Sequence, residues 1–208
     1  MKHTEMTIKV PPIPTLDNRS VLFLDFDDVL CLNIPYGGYD VIAALSKVQK
    51  KTAALEDFEA LWAQLFDPQA CSLLKKLDAE FAPLYVLSTS WRMFMNRDAL
   101  VAVLMNTGLE FVARNLHEHW QTPDFLGPQL RAREIGFWRG YKQNKNWVVF
   151  DDERSGTGYG EDYPAKQNLP FIVLCREGQG MGLLEYEKLR AAFELRRSMM
   201  DLDAKRTP

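Results

Sequence analysis

Four short apolar runs constrain the fold more than any other feature of this chain: Val21–Leu24, Leu84–Leu87, Trp147–Phe150 and Phe171–Leu174. Each is rich in Val, Ile, Leu and Phe, and none alternates with polar residues. A strand with one wet face alternates, whereas a strand covered on both faces reads as a continuous apolar run. The runs therefore predict a parallel sheet between helices. The intervening segments carry helical periodicity. Pro68–Ala79 has Pro in its first turn and apolar residues at Cys71, Leu74 and Leu77. Trp91–Asn106 gathers Phe94, Met95, Leu100, Val103 and Leu104 on one side and stops at Gly108, a residue type that ends helices. Leu183–Met200 places Tyr186, Leu189 and Phe193 inward, with Leu195 as a further candidate. Strand–helix alternation of this kind predicts an α/β, doubly wound domain.

With 208 residues, 47% of them hydrophobic, the chain suits a single core. The expected division is an N-terminal extension over 1–19, a core domain over 20–200 and a tail over 201–208. A small insertion over 33–67 comes after the first strand and contains one helix, Leu55–Phe66, with Leu55, Phe58, Leu61, Trp62 and Leu65 on an apolar face. That face is expected to pack on the core, which leaves the site without a large lid. His117–Pro128 and Glu153–Asn168 read as polar interruptions.

The formal net charge of -3 gives no global basic field, so bulk attraction to nucleic acid is not expected. Cys31, Cys71 and Cys175 are far apart and show no zinc-ligand spacing. Scattered cysteines, no secretory leader pattern and no membrane-length apolar run predict a cytoplasmic protein without membrane contact.

The residues just beyond the apolar runs carry the chemistry. Asp25 succeeds the first run, Ser88 and Thr89 the second, and Asp151 and Asp152 the third. In open parallel sheets, ligands sit outside the carboxyl ends of the strands, so these groups are expected to converge at one edge. Crowded carboxylates stay ionised only beside a cation, and carboxylate oxygens with room for water suit magnesium. A strand-end hydroxyl suits a phosphate oxygen, and a carboxylate beside magnesium can attack phosphorus. Asp27, two residues beyond Asp25, can serve as acid and base. Taken singly, each feature has a plainer reading: an Asp-x-Asp is ordinarily a turn, and an acidic pair or a Ser-Thr-Ser is often a cap. The joint arrangement argues against the plain reading.

These segments resemble the motifs of the haloacid dehalogenase (HAD) superfamily. "FLDFDDVL" is similar to its first motif, "YVLSTSWR" to its second and "VVFDD" to its fourth. Arg131, in "QLRAREIGFW", stands where the third motif has a Lys or Arg. More narrowly, Ser88–Arg92, Thr122–Pro123, Arg131–Ile135 and Asp151–Asp152 resemble, in that order, the HAD domains of Swiss-army-knife RNA repair proteins. The resemblance implies a HAD-like Rossmannoid fold and a magnesium-dependent phosphatase that works through an aspartyl-phosphate. It makes Asp25 the nucleophile and Asp27 the acid/base. Asp25, Asp151 and the Asp27 carbonyl become metal ligands, Asp152 becomes a second ligand or an outer-shell partner, and Ser88 and Arg131 hold phosphoryl oxygens. Thr89 and Arg92 become substrate-binding candidates, although Arg92 reads equally well as a surface or core-capping arginine.

Two departures stand out. Asp28 occupies a position where many members carry Gly, and Arg131 replaces the commoner Lys, with Lys142 and Lys145 as fallback candidates. Two other readings stay open. A receiver domain uses similar groups in a different order, and a HAD scaffold can serve as a non-catalytic phosphate- or metal-binding module. An open site would suit a phosphate on a bulky carrier, such as a nucleic-acid end or a protein. Contacts to nucleic acid would then fall to local cations such as Arg92, Arg97, Arg114, Arg133 and Arg139.

Overall fold

The computed structural model describes residues 19–123, 131–142, 144–160 and 163–206. Almost all of the expected N-terminal extension, part of the loops at 124–130 and 161–162, and the last two residues lie outside them. Five parallel strands form one sheet in the order β3-β2-β1-β4-β5: β1 (Val21–Leu24), β2 (Leu84–Leu87), β3 (Leu116–Gln121), β4 (Trp147–Asp152) and β5 (Ile172–Cys175). Helices α1 (Gly38–Gln49), α2 (Glu59–Gln64), α3 (Pro68–Phe81), α4 (Arg97–Asn106), α5 (Glu110–Arg114), α6 (Arg131–Lys142) and α7 (Leu183–Arg206) flank it. This is the doubly wound α/β fold that the apolar runs predict.

β1 and β2 are buried along their full length, which explains their unbroken apolar sequences. Each such side chain contributes about 1.5–3 kcal/mol on leaving water. Helices complete the core through rings: Trp138 of α6 meets Phe23 edge-on at 5.2 Å, and Phe81 of α3 stacks on Phe193 of α7 at 5.0 Å. α3 begins where its sequence dictates. Pro68 occupies the first turn and the Asp67 carboxylate accepts from the Ala70 amide.

Several elements differ from the sequence reading. His117–Pro128 is not all loop, because Leu116–Gln121 forms edge strand β3. The insertion holds an additional helix, α1, and Leu55–Phe66 divides into a 3₁₀ turn, Leu55–Phe58, followed by α2. Leu61, Trp62 and Leu65 of that segment are buried, and Leu55 and Phe58 pack against the core. Trp91–Asn106 likewise divides into a 3₁₀ turn, Ser90–Met93, and α4, so Phe94 points outward while Met95, Leu100, Val103 and Leu104 are buried. Gly108 takes a φ of +77° just beyond the Thr107 cap. In α7, Leu195 is exposed and Arg196 is buried instead. Arg196 Nε donates to the Trp147 carbonyl at 2.9 Å and its guanidinium stacks on Phe171 at 3.3 Å, so one hydrogen bond and a ring face offset part of the cost of burying it. α7 continues to Arg206, beyond the expected limit at Met200.

Candidate active site

Register places the site. Leu24 of β1 pairs with Leu87 of β2 on one side and with Phe150 of β4 on the other. The next residue on each strand therefore stands in one row: Ser88, Asp25 and Asp151. Backbone bonds hold the row, with Ser88 N donating to Leu24 O at 2.9 Å and Asp25 N to Phe150 O at 3.0 Å. β1 is central and its neighbours depart to either side, so this is the edge at which an open α/β sheet receives ligands.

Asp25, Asp151 and Asp152 are all essentially buried, and each offers one carboxylate oxygen within 4.8 Å of the others. Asp151 Oδ1 accepts from the Asp152 amide, and Asp152 Oδ1 accepts from the Arg154 and Ser155 amides at 2.7 and 2.8 Å. Those bonds fix the two carboxylates and turn their second oxygens inward. Asp25 Oδ1 and Oδ2, Asp151 Oδ2, Asp152 Oδ2 and Ser88 Oγ are buried with no hydrogen-bond partner among the described residues. Orphaned buried polar atoms are rare and costly, and five of them in one place fit an ion or an oxyanion. An all-oxygen donor set with this charge fits a hard divalent cation such as magnesium.

The electrostatics agree. Burial, reinforced by the Asp151 charge and opposed by Arg131, holds the Asp25 carboxyl well above the usual carboxylate range. Burial also lifts Asp151 to about 6, against the pull of Arg131 and with help from Asp152. Both acids are waiting for positive charge. Arg131 supplies part of it from the first residue of α6. Its Nε lies 3.1 Å from Asp151 Oδ2 without the alignment of a hydrogen bond, and its NH2 lies 3.9 Å from Asp25 Oδ1. The start of α6 is pinned by Thr157, whose hydroxyl accepts from Arg131 N and whose carbonyl accepts from Ala132 N. The fallback lysines stand elsewhere. α6 runs about 18 Å away from the site before reaching Lys142, and Lys145 precedes β4 at the opposite edge of the sheet.

Asp27 lies in the turn after β1, half-buried, outside the cluster of three. Its carboxylate accepts from Trp91 Nε1 at 3.1 and 3.0 Å, from Ser90 Oγ at 3.2 Å and from Asn33 Nδ2 at 3.2 Å. Three donors from two loops thus fix its position. The turn itself folds on Phe26 O, which accepts from the Val29, Leu30 and Cys31 amides. Asp28 takes a φ of 56°, and its carboxylate accepts from Gly178 N at 3.0 Å. That bond gives the acidic residue a use that a glycine would not have.

Thr89 and Arg92 point away from substrate duty. The Thr89 hydroxyl caps the 3₁₀ turn beyond it by accepting from Trp91 N at 3.3 Å. Arg92, with a side chain only 3% exposed, donates to the Thr89, Thr122 and Pro123 carbonyls and pairs with Glu134 at 2.8 Å. Glu134 also pairs with Arg131 at 3.3 Å and accepts from the Thr122 hydroxyl at 3.4 Å. Arg92 is therefore a strut, in keeping with the core-capping alternative. Glu134, inside the Arg131–Ile135 segment but given no role from the sequence, links Arg92 to Arg131; its spacing of three from Arg131 on a helix was the available signal.

A row of buried acids and a hydroxyl at the switch point of a Rossmannoid sheet defines a HAD-like protein. A family described as the HAD domain in Swiss Army Knife RNA repair proteins matches residues 21–181, and the chain belongs to that family. No curated protein and no solved structure gives a significant match. Among the described residues, no helix is long and apolar enough to cross a membrane.

Proposed function

We propose that the protein is a magnesium-dependent phosphomonoesterase that works through an aspartyl-phosphate on Asp25. The HAD family supports phosphatase-like hydrolase chemistry. The observation that carries the reading is the convergence of five orphaned buried oxygens from Asp25, Ser88, Asp151 and Asp152. Asp25, Asp151 and Asp152 would hold the cation, with the Asp27 carbonyl as a further ligand. When bound, magnesium would offset the carboxylate charge and draw electron density from the phosphoryl oxygens.

The residues divide the work. An Asp25 oxygen forms the new O–P bond as the ester P–O bond breaks, and Asp27 delivers its proton to the departing alkoxide. Water then attacks the phosphorus of the aspartyl-phosphate and gives its proton to Asp27. Inorganic phosphate leaves and the Asp25 carboxylate is restored. Ser88 Oγ and Arg131 hold the non-bridging oxygens, where a fixed donor is worth most. The apolar stripe of the insertion is used up against the core, which supports an open site and a phosphate on a bulky carrier, a nucleic-acid end among them.

Asp25→Asn tests the reading directly. The amide cannot attack phosphorus, so turnover of p-nitrophenyl phosphate and of a panel of nucleotides, sugar phosphates, phosphopeptides and phosphorylated oligonucleotides should vanish while circular dichroism is unchanged. Wild-type rates in that variant would end the proposal.

A further inference from the structure

Large apolar side chains stand in water on the segments that cradle the half-buried carboxylate of Asp27. Tyr39 is 87% exposed, Ile34 82%, Met93 63% and Phe94 46%. Single exposed apolar residues need no explanation, but a group at the mouth of a polar site does. Chain connectivity places them there. Ile34 is next to Asn33, which donates to Asp27. Tyr39 is next to Gly38, whose ideal Cβ would lie 3.0 Å from the Trp91 ring, so the start of α1 rests on the indole that also binds Asp27. Met93 and Phe94 end the short turn that begins with Ser90 and Trp91, both donors to Asp27. The Tyr39 and Phe94 rings are nearly parallel, 11° apart, with centroids 6.4 Å from each other.

We propose that Tyr39 and Phe94 form a stacking platform for a planar aromatic group carried on the leaving side of the substrate. The proposal rests on the reading of Asp27 as the group that protonates the leaving oxygen. Asp25 lies deeper than the half-buried Asp27, so the ester oxygen of a phosphoryl group held at Asp25 faces Asp27, and whatever is attached to that oxygen emerges over Trp91, between α1 and the 90–94 turn. The first turn of α1 and the end of the 90–94 turn present nearly parallel ring faces there. A flat π-system gains more from such faces than a sugar or a short alkyl chain does. A nucleobase and a simple aryl ring share this chemistry.

The test is calorimetric and does not depend on turnover. Asp25→Asn protein with magnesium is titrated with two matched pairs: adenosine 5′-monophosphate against ribose 5-phosphate, and benzylphosphonate against butylphosphonate. Within a pair the anionic head is similar and the ring differs. The aromatic member should bind roughly ten-fold more tightly in at least one pair. A gap in both pairs identifies any flat ring as sufficient, and a gap in the first pair alone identifies the nucleoside. Tyr39→Ala and Phe94→Ala, each added to Asp25→Asn, should shrink the gap to within about two-fold. Equal affinity within both pairs, no binding by any of the four ligands, or a gap that survives both replacements would overturn the platform. Absence of turnover in the wild type together with the expected gap would overturn the phosphatase reading and leave the platform standing. Turnover without the gap would do the reverse.

Discussion

Replacing Asp151 with Asn should make the metal-free protein more stable. Asp151 is fully buried, and its carboxyl is raised from 3.8 to about 6. Held at neutral pH, such a group disfavours the folded state by about 3 kcal/mol relative to an unshifted one. Asn keeps the shape and removes the charge, so Asp151→Asn should recover at most that amount, in which the attraction to Arg131 at 3.1 Å is already counted. For a chain of this size the gain corresponds to a rise in Tm of several degrees, with about 10 °C as a ceiling. The pH dependence fixes the sign. Below the unfolded value near 3.8 the carboxyl is neutral in both states and the penalty is absent. As pH rises toward about 6 the unfolded chain gives up its proton first, and the penalty grows to its full size above that value. The two proteins should therefore melt together near pH 3.5, if both remain folded there, and diverge by pH 7.5. Magnesium should raise the wild-type Tm at pH 7.5 and leave the variant nearly unmoved. Thermal melts in EDTA and in millimolar magnesium across this range supply the readout. A variant less stable than wild type at pH 7.5 in EDTA would refute the account of charges awaiting a cation.

The same geometry sets three more outcomes. Asp27→Asn should slow turnover by roughly a hundred- to ten-thousand-fold, less on p-nitrophenyl phosphate than on alkyl phosphates, and equal losses on both would argue against an acid/base role. Glu134→Gln breaks the charge link between Arg92 and Arg131, so denaturant unfolding should register a loss of about 1–3 kcal/mol, and a melting curve identical to wild type would remove Glu134 from the strut. Lys142→Gln and Lys145→Gln should leave kcat within two-fold of wild type, because both stand at the far edge of the sheet; a hundred-fold loss in either would displace Arg131 from the phosphoryl-binding role.

The parts of the fold that were legible are those where local sequence and tertiary environment demand the same thing. β1, β2 and the first four residues of β4 are buried on both faces, so their burial is written as uninterrupted apolar residues. β3 sits at the edge with Glu118, His119 and Gln121 exposed, and its sequence, LHEHWQ, carries no apolar signal to read. α1 opens on two glycines and fully buries only Gly38, Val41 and Ala44. Its start is set by contact with Trp91, a partner more than fifty residues away. In the site, Asp25, Ser88 and Asp151 were legible because strand ends in register need no further information. The cradle around Asp27 was not, because Asn33, Ser90 and Trp91 meet it only after two turns have folded onto one another. Arg92 illustrates the remaining limit: its position near Ser88 suits a substrate contact, but its side chain turns toward carbonyls at the end of β3, which the sequence alone could not place.

The turn beyond β1 is tied to the far end of the domain. Gly178 N bonds Asp28, Met181 N bonds the Val29 carbonyl, and Gly180, at a φ of +65°, has its ideal Cβ position 3.3 Å from that carbonyl. Asp151 and Asp152 reach Asp25 only when β4 inserts beside β1, in the middle of the sheet. On a ribosome, Asp25 is thus made early and its surroundings late. A growing chain that has released β1, β2 and the helices between them has neither the acidic pair nor the 178–181 segment that braces the turn. It carries Asp25 and its neighbours in the turn without the β4 carboxylates that complete the cluster. Domains fold as units as they emerge, and here the unit closes only once residues near 181 are free. The acidic cluster and the completed fold therefore arrive together, and a chain truncated before β4 should not gather a cation at Asp25.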